Sequence, residues 1–163
     1  MRRFYGPFIP SPGAAALLFL RLIAGTALML HGWPKMLHPF TWMDAFHPGM
    51  PGLLQALQAL IEFGGGLALF IGLVTPLAAA GVVAGMAAAL AVVHLPNHDP
   101  FIPAMPGQSS YELALVYLGI ALVLMLVGPG RFSLDYLLFG RSAAVEAADA
   151  DRAPRGLSDR VLS

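Results

Sequence analysis

The chain of 163 residues is far more apolar than a soluble domain of its size, with 58% hydrophobic and 11% charged residues, so lipid must be the solvent for much of its surface. Nine Lys and Arg balance nine Asp and Glu, and without a basic stripe carrying interleaved aromatic residues the sequence excludes a nucleic-acid-binding protein. The absence of cysteine excludes thiol redox chemistry, disulfides and thiolate metal sites, so a redox role would need a bound cofactor or a partner subunit.

Four apolar stretches have the composition of membrane spans, which need about 20 residues as a helix. They cover residues 14–36, 53–74, 76–95 and 111–127. They predict an all-α membrane protein, an antiparallel bundle of four transmembrane helices. Ser11-Pro12 and Thr75-Pro76 combine a hydroxyl cap with a proline at the first helical position, and they open the first and third helices. Ser109 and Glu112 have the spacing of a capping box for the fourth helix.

The flanking segments complete a membrane domain over residues 12–140. Residues 1–11 form an N-terminal segment before it. The run RFSLDYLLF has helical spacing and predicts a short helix on the membrane surface near 131–140. Residues 141–163 are rich in Ala, Asp and Arg with little to bury, so they predict a disordered tail.

The distribution of arginine predicts the orientation, because basic residues near the spans stay in the cytoplasm. Arginines precede the first span and follow the last, whereas the two long loops on the other face hold only Lys35. Both termini are therefore predicted to be cytoplasmic. SPGAAALL and TPLAAAGV open two helices that end at His31 and His94, and each following helix carries one glutamate. Two repeated helical hairpins would explain this echo, and so would chance similarity between alanine-rich helices.

Arg21 and Glu62 are ionisable residues within predicted spans, where each charge costs about 2.5–3.5 kcal/mol. Their heights, at 1.5 Å per residue, place the two side chains within reach of each other, so we predict a buried polar pair. Two interpretations remain open. The pair fixes helix packing and nothing more, or it forms the floor of a polar cavity.

A second polar group gathers where the predicted helices meet the outer loops. His31 and Lys35 end the first helix, His94 ends the third, and Glu112 begins the fourth. Histidine hydrogen-bonds carbonyl oxygens such as those of a quinone, so these four residues are predicted to line a ligand-binding pocket near the outer face. For Glu112 the capping box is the rival interpretation. No histidine pair has tight metal-binding spacing, so no metal site is predicted.

Several runs between residues 21 and 135 form an ordered set: RLIAGTALMLHGWPKM, EFGGGLALFIGLVTPLAA, the histidine at position 94, YELAL and GPGRFSLD. Together they resemble the DoxX family of bacterial and archaeal membrane proteins. Pro76 departs from relatives that often carry arginine in that turn. The resemblance implies a four-helix bundle in the inner (plasma) membrane, associated with quinone-linked oxidoreductase systems. It also implies that Arg21, His31, Lys35, Glu62, His94 and Glu112 match family positions.

Three functions follow from these observations. The first is a membrane subunit that binds a quinone-like, isoprenoid-tailed ligand near the outer face and works with a separate redox partner protein. Such a chain would be an oxidoreductase only together with that partner. The second is a non-catalytic membrane anchor or assembly factor. The third is a small transporter, which would require a homo-oligomer because four helices with one central charge pair make a poor conduit.

Overall fold

The computed structural model describes residues 11–140, and the regular structure within that range is entirely helical. Helix α1 spans Ser11–Leu37, α2 Gly52–Ile71, α3 Thr75–His94 and α4 Glu112–Val127. A single turn of π-helix, Tyr136–Gly140, follows. The first three helices are long and apolar enough to cross a membrane, and α4 is apolar but has 16 residues. The predicted all-α membrane class is confirmed, while the predicted disordered tail and all but the last residue of the N-terminal segment lie outside the described residues.

Helices α1 and α2 approach each other through glycines. A Cβ atom on Gly25 would lie 2.7 Å from the carbonyl oxygen of Gly66, and one on Gly32 would lie 2.5 Å from the backbone nitrogen of Phe63. Only glycine permits backbones to come this close. The residue numbers run in opposite directions along this contact, which fixes the register of the two helices.

The buried core is small, and much of the apolar surface faces outward. Leu28, Leu69, Val82 and Leu124 come from the four helices and are each at most 2% exposed. Outward-facing side chains on the same helices include Phe19, Leu30, Leu77 and Leu126, which are 66–78% exposed. Helices that are apolar on both their inner and outer faces are typical of membrane spans, because lipid covers the outer face.

The helix caps differ from the sequence predictions. The predicted capping box is wrong, because Ser109 Oγ donates a hydrogen bond to Asp99 and the first turn of α4 has no side-chain cap. The hydroxyl of Thr75 does not cap α3 either. The carboxylate of Asp135 accepts from the backbone N–H groups of Val74 and Thr75 at 2.7 and 2.8 Å. Asp135 is fully buried, so the segment predicted as a surface helix near 131–140 also closes the bundle.

Candidate functional site

Polar side chains form two clusters at opposite ends of the bundle. We call the end that holds Arg21 and Asp135 the arginine end, and the end that holds His31, Lys35 and His94 the histidine end. The first cluster closes the short turn between α2 and α3. The second lines a cavity between the helices.

At the arginine end, α2 finishes in a Schellman turn. Gly72 has a φ of 71°, and its N–H and that of Leu73 return to the carbonyls of Leu69 and Ala68 at 3.2 and 2.9 Å. Such left-handed turns favour glycine, and they leave neighbouring carbonyl groups free to accept further hydrogen bonds.

The guanidinium of Arg21 donates hydrogen bonds to carbonyls at the end of α2 and in the segment after α4. Its Nε donates to the carbonyl oxygen of Leu69 at 2.9 Å, and its Nη1 donates to the carbonyls of Pro129 and Phe132 at 2.6 and 3.1 Å. The side chain is 1% exposed. One fork of donors therefore ties α1 to the end of α2 and to the segment after α4. A cation at the end of α2 and the Asp135 carboxylate at the start of α3 also complement the two helix dipoles.

Arg21 and Glu62 do not pair, and the predicted ion pair is wrong. Both side chains are buried, but Arg21 binds carbonyls at one end while Glu62 binds Lys35 at the other. The register explains the difference. Gly25 faces Gly66, so one turn earlier Arg21 is level with the end of α2, more than one turn below Glu62.

The histidine end has its own charge cluster. Lys35 Nζ donates to both carboxylate oxygens of Glu62, at 2.5 and 2.6 Å, and Gln58 Nε2 donates to Oε1 at 2.8 Å. Lys35 Nζ also lies 4.4 Å from the centre of the Trp42 ring, a cation–π contact. The carboxylate is 6% exposed and the lysine 23%. Lys35 was predicted to line the ligand pocket and Glu62 to form the buried polar pair, so this ion pair joins one residue from each prediction.

Gln55 holds the loop between α1 and α2 over this cluster. Its Oε1 accepts from the N–H of Met43 at 2.8 Å, and its Nε2 donates to Asp44 Oδ1 at 2.7 Å and to the carbonyl of Met50 at 3.1 Å. The indole of Trp42 donates to the backbone carbonyl of Gln55 at 3.0 Å. Gln55 is 1% exposed. A buried glutamine so fully bonded positions the loop and, with it, Trp42.

A cavity of about 620 Å³ lies at the histidine end. All four helices and the loop after α1 contribute to its lining. Its polar lining residues are His31, Lys35, Gln55, Gln58, Glu62, His94, Ser110 and Tyr117. Its walls are apolar and include Leu54, Leu57, Ile61, Ala88 and Val92. Three of the four residues predicted to bind a ligand, His31, Lys35 and His94, line this cavity, and Glu112 does not.

His94 is held from outside the cavity. Its Nδ1 lies 2.8 Å from Asp99 Oδ2, and Ser109 Oγ donates to the same oxygen at 2.7 Å. The hydrogen bonds from Ser109 and His94 hold the pKa of the Asp99 carboxyl below its ordinary value. These hydrogen bonds to Asp99 stabilise the fold above the ordinary aspartate pKa, and their contribution is lost as the pH falls through the depressed pKa of Asp99.

Sequence reasoning missed the two turns of wider π-helix at the site. They cover Ile61–Gly65 in α2 and Leu90–His94 in α3. Glu62 lies inside the first and His94 ends the second. Such turns are rare and occur often at functional sites, because they redirect side chains within a helix. Asp99 and Asp135 were also missed as partners, although Asp135 belongs to the quoted run GPGRFSLD. Within residues 11–140 no cluster of His, Cys, Asp or Glu could hold a metal ion.

Comparison with known proteins finds a family model and a relative that match this chain. The family model described as DoxX matches residues 16–95, from α1 to the end of α3. Inner membrane protein YqjF of Escherichia coli (strain K12) is 29% identical over 124 residues, which cover 74% of this chain and 90% of that protein. No solved structure matches.

The apolar helices and these matches define a multi-pass inner-membrane protein. Residues 16–95 match the DoxX family, as the resemblance of the sequence to that family indicated.

Proposed function

We propose that the chain is a plasma-membrane subunit of four antiparallel spans that binds a quinone-like ligand in the cavity at the histidine end. The observation that carries this proposal is a cavity lining that combines several polar side chains with mostly apolar walls. The volume of about 620 Å³ falls in the range of about 300–1,000 Å³ typical of small-molecule sites. A quinone matches this lining because it combines a polar ring with an apolar isoprenoid tail.

The polar lining groups offer donors to the oxygens of such a ring. An ammonium group has three N–H donors, and Glu62 takes two of those of Lys35, which leaves one for the ligand. His31, one turn before Lys35 on α1, also lines the cavity, and the centre of its ring lies 6.2 Å from that of Tyr117 in an edge-on contact. The quinone would supply the redox chemistry, and the protein would bind and orient it.

The orientation belongs to the same proposal. Arg2 and Arg3 precede α1 and Arg131 follows α4 in the sequence, and α1 begins and α4 ends at the arginine end. By the positive-inside rule, the arginine end and both termini would lie in the cytoplasm and the histidine end outside. A separate redox partner would exchange electrons with the quinone there. A homo-oligomer and a repeated hairpin stay predictions.

Purified protein should retain a lipid-extractable quinone, and Glu62→Gln and His94→Ala should each lower its occupancy severalfold. Glu62→Gln weakens the ion pair that positions Lys35, and His94→Ala removes a polar lining group. The measurement is chromatography of solvent extracts from protein purified in mild detergent, with Glu112→Gln as the matched control because Glu112 does not line the cavity. Full occupancy in both cavity variants would contradict the site.

A non-catalytic anchor or assembly factor is the second candidate, and the arginine end favours it. Each hydrogen bond of Arg21 goes to a backbone carbonyl, which is a purely structural use of a buried charge. Under this function, the cavity variants would retain full physiological activity in a deletion strain. Under the leading proposal they would lose it.

A further inference from the structure

The contacts of His94 specify which form of ligand the cavity takes. The Asp99 carboxylate already accepts the Ser109 hydroxyl and can only accept from the imidazole as well. The ring proton of neutral His94 is therefore on Nδ1. Because Asp99 lies outside the cavity lining and His94 within it, the ring atom left for the cavity is Nε2, with a free lone pair.

Two other acceptor groups of the cavity are already in use. The oxygens of Glu62 already accept from Lys35 and Gln58. The Gln55 carboxamide is bonded to the loop. A headgroup that approaches His94 therefore meets a lone pair, which attracts a hydroxyl group and repels a carbonyl oxygen.

We propose that Asp99 is a positioning residue that fixes His94 Nε2 as a hydrogen-bond acceptor, so the cavity selects the hydroxyl-bearing, reduced form of its ligand, a hydroquinone, over the quinone. This inference rests on the proposed function and deepens it. One hydrogen bond gained in one form and lost in the other corresponds to a preference of about fivefold to tenfold.

The test compares the affinities of decylubiquinol and decylubiquinone by anaerobic titration calorimetry of the full chain in detergent, at one mildly alkaline pH. Wild type should bind the quinol about fivefold to tenfold more tightly. Asp99→Asn should abolish or reverse that preference, because an amide N–H can donate to Nδ1 and move the ring proton to Nε2. Ser109→Ala is the matched control and should keep the preference, since it leaves the bond between Asp99 and His94 intact.

A second variant separates the tautomer from loop folding. His94→Phe keeps a ring at the cavity wall but has no acceptor, so it should bind both forms with equal affinity. Equal affinities in wild type, or an unchanged preference in Asp99→Asn or His94→Phe, would overturn the role of Asp99 and His94 while leaving quinone binding in place. If neither compound binds to wild type, the proposed function itself fails.

Discussion

Replacing Arg21 with leucine should lower the free energy of unfolding by about 3–5 kcal/mol. The guanidinium is 1% exposed and donates to carbonyls of α2 and of the segment after α4. Its removal leaves those carbonyls buried without their donor and leaves Asp135 without a neighbouring positive charge. Reversible unfolding in mixed micelles, followed by circular dichroism, measures the loss.

Arg21→Lys is the informative control for that prediction. An ammonium on a flexible stem cannot reproduce the planar fork that reaches Leu69 and Pro129 together. Lysine should therefore restore less than half of the lost stability. A loss below about 1 kcal/mol in Arg21→Leu, the range of exposed charges, would contradict the arginine-end cluster. Full recovery with lysine would contradict the role of the fork.

A double-mutant cycle should couple Glu62 to Lys35 and not to Arg21. Lys35→Met and Glu62→Gln should each cost about 2–3 kcal/mol, because the first leaves the buried Glu62 carboxylate without its cation and the second removes the negative charge that Lys35 pairs with. Combined, they should cost at least about 1 kcal/mol less than the sum. Arg21→Leu combined with Glu62→Gln should be additive within about 0.5 kcal/mol, since these side chains share no partner. The reverse pattern would support the ion pair predicted from sequence.

The helices were the most predictable part of the fold, and their ends the least. The predicted second span runs to residue 74, whereas α2 ends at Ile71. Leu73 and Val74 are as apolar as the helix before them, so hydropathy cannot distinguish the turn from the span. The usable signal was Gly72, whose positive φ ends the helix.

Three of the four residues predicted for the ligand pocket line the cavity, but their hydrogen-bond partners were not predicted. His31, Lys35 and His94 stood out in the sequence because polar residues at the ends of apolar spans are unusual. The prediction that Arg21 pairs with Glu62 was wrong because the heights of the two side chains were counted from assumed helix ends. The glycine contacts between α1 and α2 set the register instead, and they depend on close backbone approach that a single sequence does not reveal.

Photolabelling with an azido-quinone, followed by peptide mapping, tests most directly whether the cavity at the histidine end is the ligand site. The label should fall on the cavity-lining parts of residues 31–35, 54–62, 84–94 and 110–117, and an excess of unlabelled quinone should suppress it. Labelling spread over lipid-facing residues such as Phe19 and Leu126, and insensitive to competitor, would contradict a built site.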